Sequence, residues 1–113
     1  MSKLQEKIEF YKEKMKEIEP NFDAELLEKI TKSLGPSIYN KDAETISCSQ
    51  KSELERVREN FLKKKLALTE SDDKLDAAIE EVCEKMGKSN RNKYRALFYY
   101  FLVKKFNKED LYK

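Results

Sequence analysis

A chain of 113 residues with 41% charged residues, a net charge of only +2, two Gly, two Pro and no His has room for one buried core, and a single domain over residues 1–113 is expected. The scarcity of turn residues excludes an all-β chain, and the charge balance excludes a global polyelectrolyte attraction to nucleic acid or membrane. The absence of His removes the commonest general base, the Ser–His and Cys–His nucleophile pairings, and zinc sites of the two-Cys, two-His type. The mean hydropathy of −0.87 would suit a disordered chain, but the apolar residues recur at helical spacing and argue for amphipathic helices with solvated charged faces.

The first predicted helix runs from about Ser2 to Ile18, capped by Ser2 and ended by Pro20. Leu4, Ile8, Tyr11, Met15 and Ile18 recur in steps of four and three, which lines them on one stripe. That stripe is too short for a coiled coil and reads as a core face. Asp23 caps a second helix carrying Leu26, Leu27, Ile30 and Leu34. Gly35 suits the left-handed position past its end, and Pro36 blocks continuation. From Pro36 to Ser49 the pattern fixes little beyond a short helical turn at Pro36 and three core anchors, Ile38, Tyr39 and Ile46.

A third helix begins near Ser49 or Ser52, where Ser52 and Glu55 match a capping box. Its apolar face is Leu54, Val57, Phe61 and Leu62, and Lys63-Lys64-Lys65 closes it with charge that suits the helix dipole. The fourth helix runs from Ser71 or Asp72 to Met86. Leu75, Ile79, Val82 and Met86 form its inner stripe, widened by Ala78 and Cys83, and Gly87 ends it. Asp72, Asp73 and Asp76 lie in its opening turns, where they compensate the dipole. They lack the Gly and distal Glu of a calcium loop, and no metal site is assigned.

The fifth predicted helix is capped by Ser89 or Asn90 and reaches about Phe106. Leu97, Phe98 and Phe101 share one face with Tyr94, while Ala96, Tyr100 and Val103 lie opposite. A helix apolar nearly all round is buried by neighbours on several sides. Asn107 then caps a final turn over Glu109 to Tyr112. The expected fold is all-α: a compact bundle of about five helices around a central, mostly buried C-terminal helix, with Leu75, Ile79, Val82, Leu97, Phe98 and Phe101 in its core.

Cys48 and Cys83 stand 35 residues apart without a Cys-x-x-Cys pair. Reduced thiols in a cytoplasmic protein are the expectation, with Cys83 a small buried hydrophobe and Cys48 the more exposed of the two. No apolar leader opens the chain. The longest apolar run, Ala96–Val103, falls far short of the roughly 20 residues that span a bilayer, so no membrane contact is expected.

Charge is unevenly distributed. From Glu84 to Lys113 there are nine Lys/Arg against three Asp/Glu, and from Thr69 to Cys83 one Lys against six acids. Lys88, Ser89, Arg91, Lys93, Arg95 and Tyr99 therefore form the candidate contact for an anion or a single-stranded nucleic acid at a helix start. The bland reading leads: Asn90 and Asn92 are ordinary turn residues at the Gly87 corner, and Arg91 and Arg95 pair with Glu80, Glu81 and Glu84 of the preceding helix. The stretch is not a P-loop, since it lacks the upstream Gly and the strand.

The strings Leu34-Gly35-Pro36-Ser37-Ile38-Tyr39-Asn40, Ser47-Cys48-Ser49 and Met86 to Arg95 with Phe98-Tyr99-Tyr100 resemble a family of small bacterial proteins of unknown function, and the likeness spans nearly the whole chain. The resemblance implies a compact domain that stands alone. It carries no assigned activity, cofactor or catalytic residue, so it transfers no site. The expected function is a protein-interaction or adaptor module, docking through the first helix or through the corner between the fourth and fifth. Weak anion or nucleic-acid binding through Lys88–Arg95 is the alternative. No cofactor is expected, the leaning is away from an enzyme, and the expected state is a monomer or weak homodimer.

Overall fold

The computed structural model describes residues 2–87 and 93–112, the side chains of residues 41 and 42 excepted. It is an all-α bundle. Helix α1 (Lys3–Ile18) is capped by Ser2, whose Oγ accepts from the Gln5 N–H at 3.1 Å. Helix α2 (Ala24–Leu34) is capped by Asp23, whose carboxylate accepts from the Leu26 N–H at 3.1 Å. Each cap satisfies a backbone donor that the first helical turn leaves without a partner. Gly35 then turns the chain with a φ of +63° in open space, so the backbone conformation, not crowding, demands glycine there.

The undecided stretch resolves into a tight helical turn over Gly35–Tyr39 and a single turn of helix, α3 (Lys41–Glu44). Ile38 and Ile46 are buried as expected, but Tyr39 is 47% exposed and anchors nothing. After α3 the chain makes one antiparallel bridge, Thr45 with Tyr94, in which the Ile46 N–H donates to the Lys93 carbonyl at 2.8 Å.

Helix α4 (Lys51–Arg56) starts behind Gln50, whose carbonyl accepts from the Glu53 and Leu54 N–H groups at 3.1 and 3.2 Å. No side chain caps it. The Ser52–Glu55 capping box does not form because Ser52 already lies inside the first turn. The same helix continues through Val57–Lys65 with π winding. The apolar spacing explains this departure from a plain α-helix. Val57, Phe61, Leu62 and Leu66 are all buried. At α-helical winding Leu66 would stand about 180° from Val57. At roughly 4.4 residues per turn, the wider π winding gathers all four within about 80°. Core burial selects the winding.

Helix α5 (Asp72–Met86) is capped by Ser71 and stops at Gly87, where φ is +94°. Helix α6 (Arg95–Lys105) opens at Arg95 with Tyr94 as its extended cap residue, and the expected caps Ser89 and Asn90 lie outside the described residues. The bridge to Thr45 holds the backbone extended at Lys93 and Tyr94, which delays the helix. Asn107 does not cap the final turn (Glu109–Tyr112). It takes the left-handed conformation, φ +55°, that ends α6, and the turn closes from Leu111 onto the Lys108 carbonyl.

Helix α6 is central. Every residue from Ala96 to Val103 is buried, with α2 and α5 packed most closely against it. Leu97, Phe98 and Phe101 meet Leu75, Ile79 and Val82 of α5 in one core cluster. Tyr100 ties α2 to this axis, its hydroxyl oxygen accepting from the Asp23 N–H at 2.7 Å. Among the described residues, no helix is long and apolar enough to cross a membrane.

The cysteines correct the sequence reading. Cys48 and Cys83 form a disulfide rather than two reduced thiols. Their separation in sequence gave no sign of this. The bridge to Tyr94 leads the chain after Ile46 across the face of α5, where Cys83 is fully buried and Cys48 half-buried.

Candidate functional site

The N-terminal end of α6 organises two polar clusters. In the first, Arg95 gathers three groups, two of them from distant parts of the chain and one from the next turn of α6. Its Nε donates to the Ala43 carbonyl at 2.7 Å, one terminal nitrogen to the Tyr99 hydroxyl at 2.9 Å, and the other to Glu53 Oε1 at 2.6 Å. The Tyr99 ring stacks on Phe61 of the π-wound segment, with centroids 3.7 Å apart. Burial works against the Arg95 charge, but Tyr99 and Glu53 outweigh it and hold the guanidinium protonated beyond its ordinary range. Burial likewise pushes the Tyr99 hydroxyl up.

This arrangement bears directly on the sequence candidates. Lys88, Ser89 and Arg91 lie outside the described residues. Lys93 is buried and has a partner. Arg95 is paired within the molecule, but to Glu53 of α4, not to Glu80, Glu81 or Glu84 of α5. Tyr99 is buried against Phe61 and offers no open stacking face. The acids of α5 find other cations: Glu81 pairs with Lys105, Asp76 with Arg58 at 2.9 Å and Asp72 with Lys63 at 2.7 Å. These three acids are matched by the π-wound segment and the far end of α6, and Glu80 and Glu84 have partners as well. Among the described residues no group of three acidic or thiol side chains is placed to hold a metal ion.

The second cluster lies under α1. Glu44 Oε2 accepts from the Tyr11 hydroxyl at 2.5 Å and from Lys7 Nζ at 2.7 Å. Burial, reinforced by this hydrogen bond, pushes the Tyr11 hydroxyl far above its ordinary range, so it stays a proton donor. Tyr94 packs on both Tyr11 and Phe10, at centroid distances of 5.4 and 5.3 Å. With both donors of α1 on one oxygen, Glu44 braces α3 against α1.

Outside this brace opens a groove of about 420 Å³ lined by Lys3, Glu6, Lys7, Phe10 and Tyr39. Its floor is apolar, and its rim carries Lys3, Lys7 and Glu6, with Lys7 held by Glu44. Lys7 and Lys14 stand over the Phe10 ring at 5.8 and 5.6 Å, a cation–π arrangement beside the groove. Sequence reasoning named the first helix as a docking element but missed the residues of this groove, because it followed only the core stripe of α1. Phe10 precedes Tyr11 and falls off that stripe, and an aromatic residue off the buried face was the available signal. Tyr39 was misassigned to the core because a turn with apolar residues gives no period from which to read a direction.

No curated protein matches the chain. The family model described as "Protein of unknown function (DUF2853)" matches residues 10–110 and takes in Tyr11 and Glu44 of the brace, the Arg95 cluster and the whole of α6, so the chain belongs to the DUF2853 family.

Proposed function

We propose that the domain is a protein-interaction module, and that the groove between α1 and the Gly35–Tyr39 turn receives a partner segment in which one apolar side chain is flanked by acidic residues. The observation that carries this reading is the exposed Tyr39 beside the half-buried Phe10, set over a hydrogen-bonded base. An apolar anchor in a preformed pocket is the usual centre of a binding hot spot. With Lys7 taken up by Glu44, Lys3 at the rim and Lys14 over the Phe10 ring supply the complementary charge that favours acidic flanks and rapid encounter. A cytoplasmic setting and a monomeric or weakly dimeric state belong to the same proposal.

The test is a binding screen of the whole chain against peptides bearing one Leu or Phe flanked by Glu, with matched Lys-flanked controls. Selective binding of the acidic set is expected, with a loss of roughly tenfold in Tyr39→Ala. Tyr39 is exposed, so the variant should keep its fold. Equal binding of both sets, or unchanged binding by Tyr39→Ala, overturns the reading. Nucleic-acid binding that falls steeply with salt and depends on Lys88 and Arg91 would favour the alternative instead.

A further inference from the structure

We infer that Cys48 Sγ is a site of attack by an external thiol, and that its disulfide to Cys83 is a latch holding α4 on the bundle. The two sulfurs are not equivalent. Cys83 is fully buried in the core cluster, whereas Cys48 is half-buried and lines an open groove of about 300 Å³ that runs along Ser49, Leu54 and Ile79. Thiol–disulfide exchange requires a thiolate to reach a sulfur, and of the two residues it is Cys48 that borders a groove open to solvent.

The segment on either side of Cys48 shows what the bond restrains. Upstream, residues through Ile46 are tied independently: Ala43 to Arg95, Glu44 to Tyr11 and Lys7, and Ile46 to Lys93. Downstream, α4 is held by the Glu53–Arg95 pair and by the half-buried Leu54 on the core. It has no side-chain cap and no fully buried residue. Between Ile46 and α4 the described hydrogen bonds are local, from the Gln50 N–H to the Ser47 carbonyl and between the Ser47 and Ser49 hydroxyls. The disulfide is therefore the tether at the start of α4, and α4 carries Glu53, the partner of Arg95.

Opening proceeds in two balanced steps. A thiolate attacks Cys48 Sγ, a new sulfur–sulfur bond forms there, and Cys83 leaves with the electron pair and takes a proton in its apolar surroundings. A second thiolate then attacks the mixed disulfide at the external sulfur, releasing an external disulfide and the Cys48 thiolate. Two external thiols are oxidised and one protein disulfide is reduced. Opening leaves residues 47–50 without a covalent anchor and loosens the Glu53–Arg95 pair, while the core around α6 keeps its packing.

The inference stands apart from the docking groove. It is tested on the full-length oxidised chain with glutathione as the probe, by quenching with acid, mapping adducts by peptide mass, and following amide hydrogen exchange. The glutathione adduct is expected on Cys48. Amide protection should fall by roughly tenfold or more over residues 47–56 and stay unchanged in α2 and α6. The Cys48→Ser variant should reproduce that exchange pattern without glutathione. An adduct on Cys83, unchanged exchange over residues 47–56, loss of protection across every helix, resistance to glutathione, or two alkylatable thiols in the untreated protein overturns it.

Discussion

Arg95 and Glu53 meet at 2.6 Å although 42 residues separate them in sequence, and each side chain is only 17% exposed. This pair joins the start of α6 to α4, and its energetics are those of a partly desolvated charge that must be matched. Replacing Glu53 with Ala leaves the guanidinium with its bonds to Ala43 and Tyr99 but no counter-charge. A loss of about 2–3 kcal/mol of stability is expected in urea unfolding. Glu53→Gln, which keeps one acceptor, should lose less. If both variants unfold at the wild-type midpoint, the pair is only a surface contact.

The buried axis makes a larger prediction. Phe98 has no exposed surface and sits where α6 meets the core cluster. Phe98→Ala should cost about 3–5 kcal/mol by lost transfer energy and an unfilled cavity. That is a large share of a typical domain stability of about 5–15 kcal/mol. Phe101 is 7% exposed, beside the groove of Lys85 and Lys104, and its truncation should cost less than that of Phe98. Thermal unfolding of both variants ranks them, and the reverse order would contradict the packing described for α6.

These two cases mark how far the sequence could be read. The burial of Phe98 follows from eight consecutive apolar positions, which no helix can expose. The Arg95–Glu53 pair does not follow, because nothing in a chain says which of several acids a long side chain will reach once irregular turns have been laid down. The π winding was legible in principle. Val57, Phe61, Leu62 and Leu66 step by four and five, a period that an α-helix cannot keep on one face. The disulfide was hidden because the segment carrying Cys48 is placed by the Thr45–Tyr94 bridge, a backbone contact between residues that carry no pairing signal. Phe10 and Tyr39 were hidden because their neighbours, not their own chemistry, leave Tyr39 exposed and Phe10 half-buried.

Four tyrosines tie stability to high pH. Burial, first among the causes at each position, raises the hydroxyls of Tyr11, Tyr94, Tyr99 and Tyr112 above the ordinary value of 10.0. A group whose folded value exceeds its unfolded one contributes stability that is fully present below the unfolded value and is lost as pH rises through the folded one. The fold should therefore be insensitive to these groups below pH 10.0 and lose stability progressively above it. Phenolate absorbance and far-ultraviolet circular dichroism, followed together in an alkaline titration, should change together for the buried set. Ionisation of all six tyrosines near the ordinary value with the helices intact would rule out their burial.

The Cys48–Cys83 bond makes a thermodynamic prediction that does not depend on how a thiol reaches it. It closes a loop of 35 residues, and by chain entropy alone such a closure restricts the unfolded ensemble by about 3.5–4 kcal/mol. Cys48→Ser removes the bond while leaving a small apolar thiol at the core position of Cys83. Its urea unfolding should show a lower midpoint and a steeper dependence on denaturant, because an unfolded chain without the cross-link exposes more surface. Adding a reductant to the wild type should reproduce both changes, and adding it to Cys48→Ser should do nothing. A lower midpoint with an unchanged slope would place the effect in the native state, as lost contacts around α4, and not in the entropy of the unfolded chain.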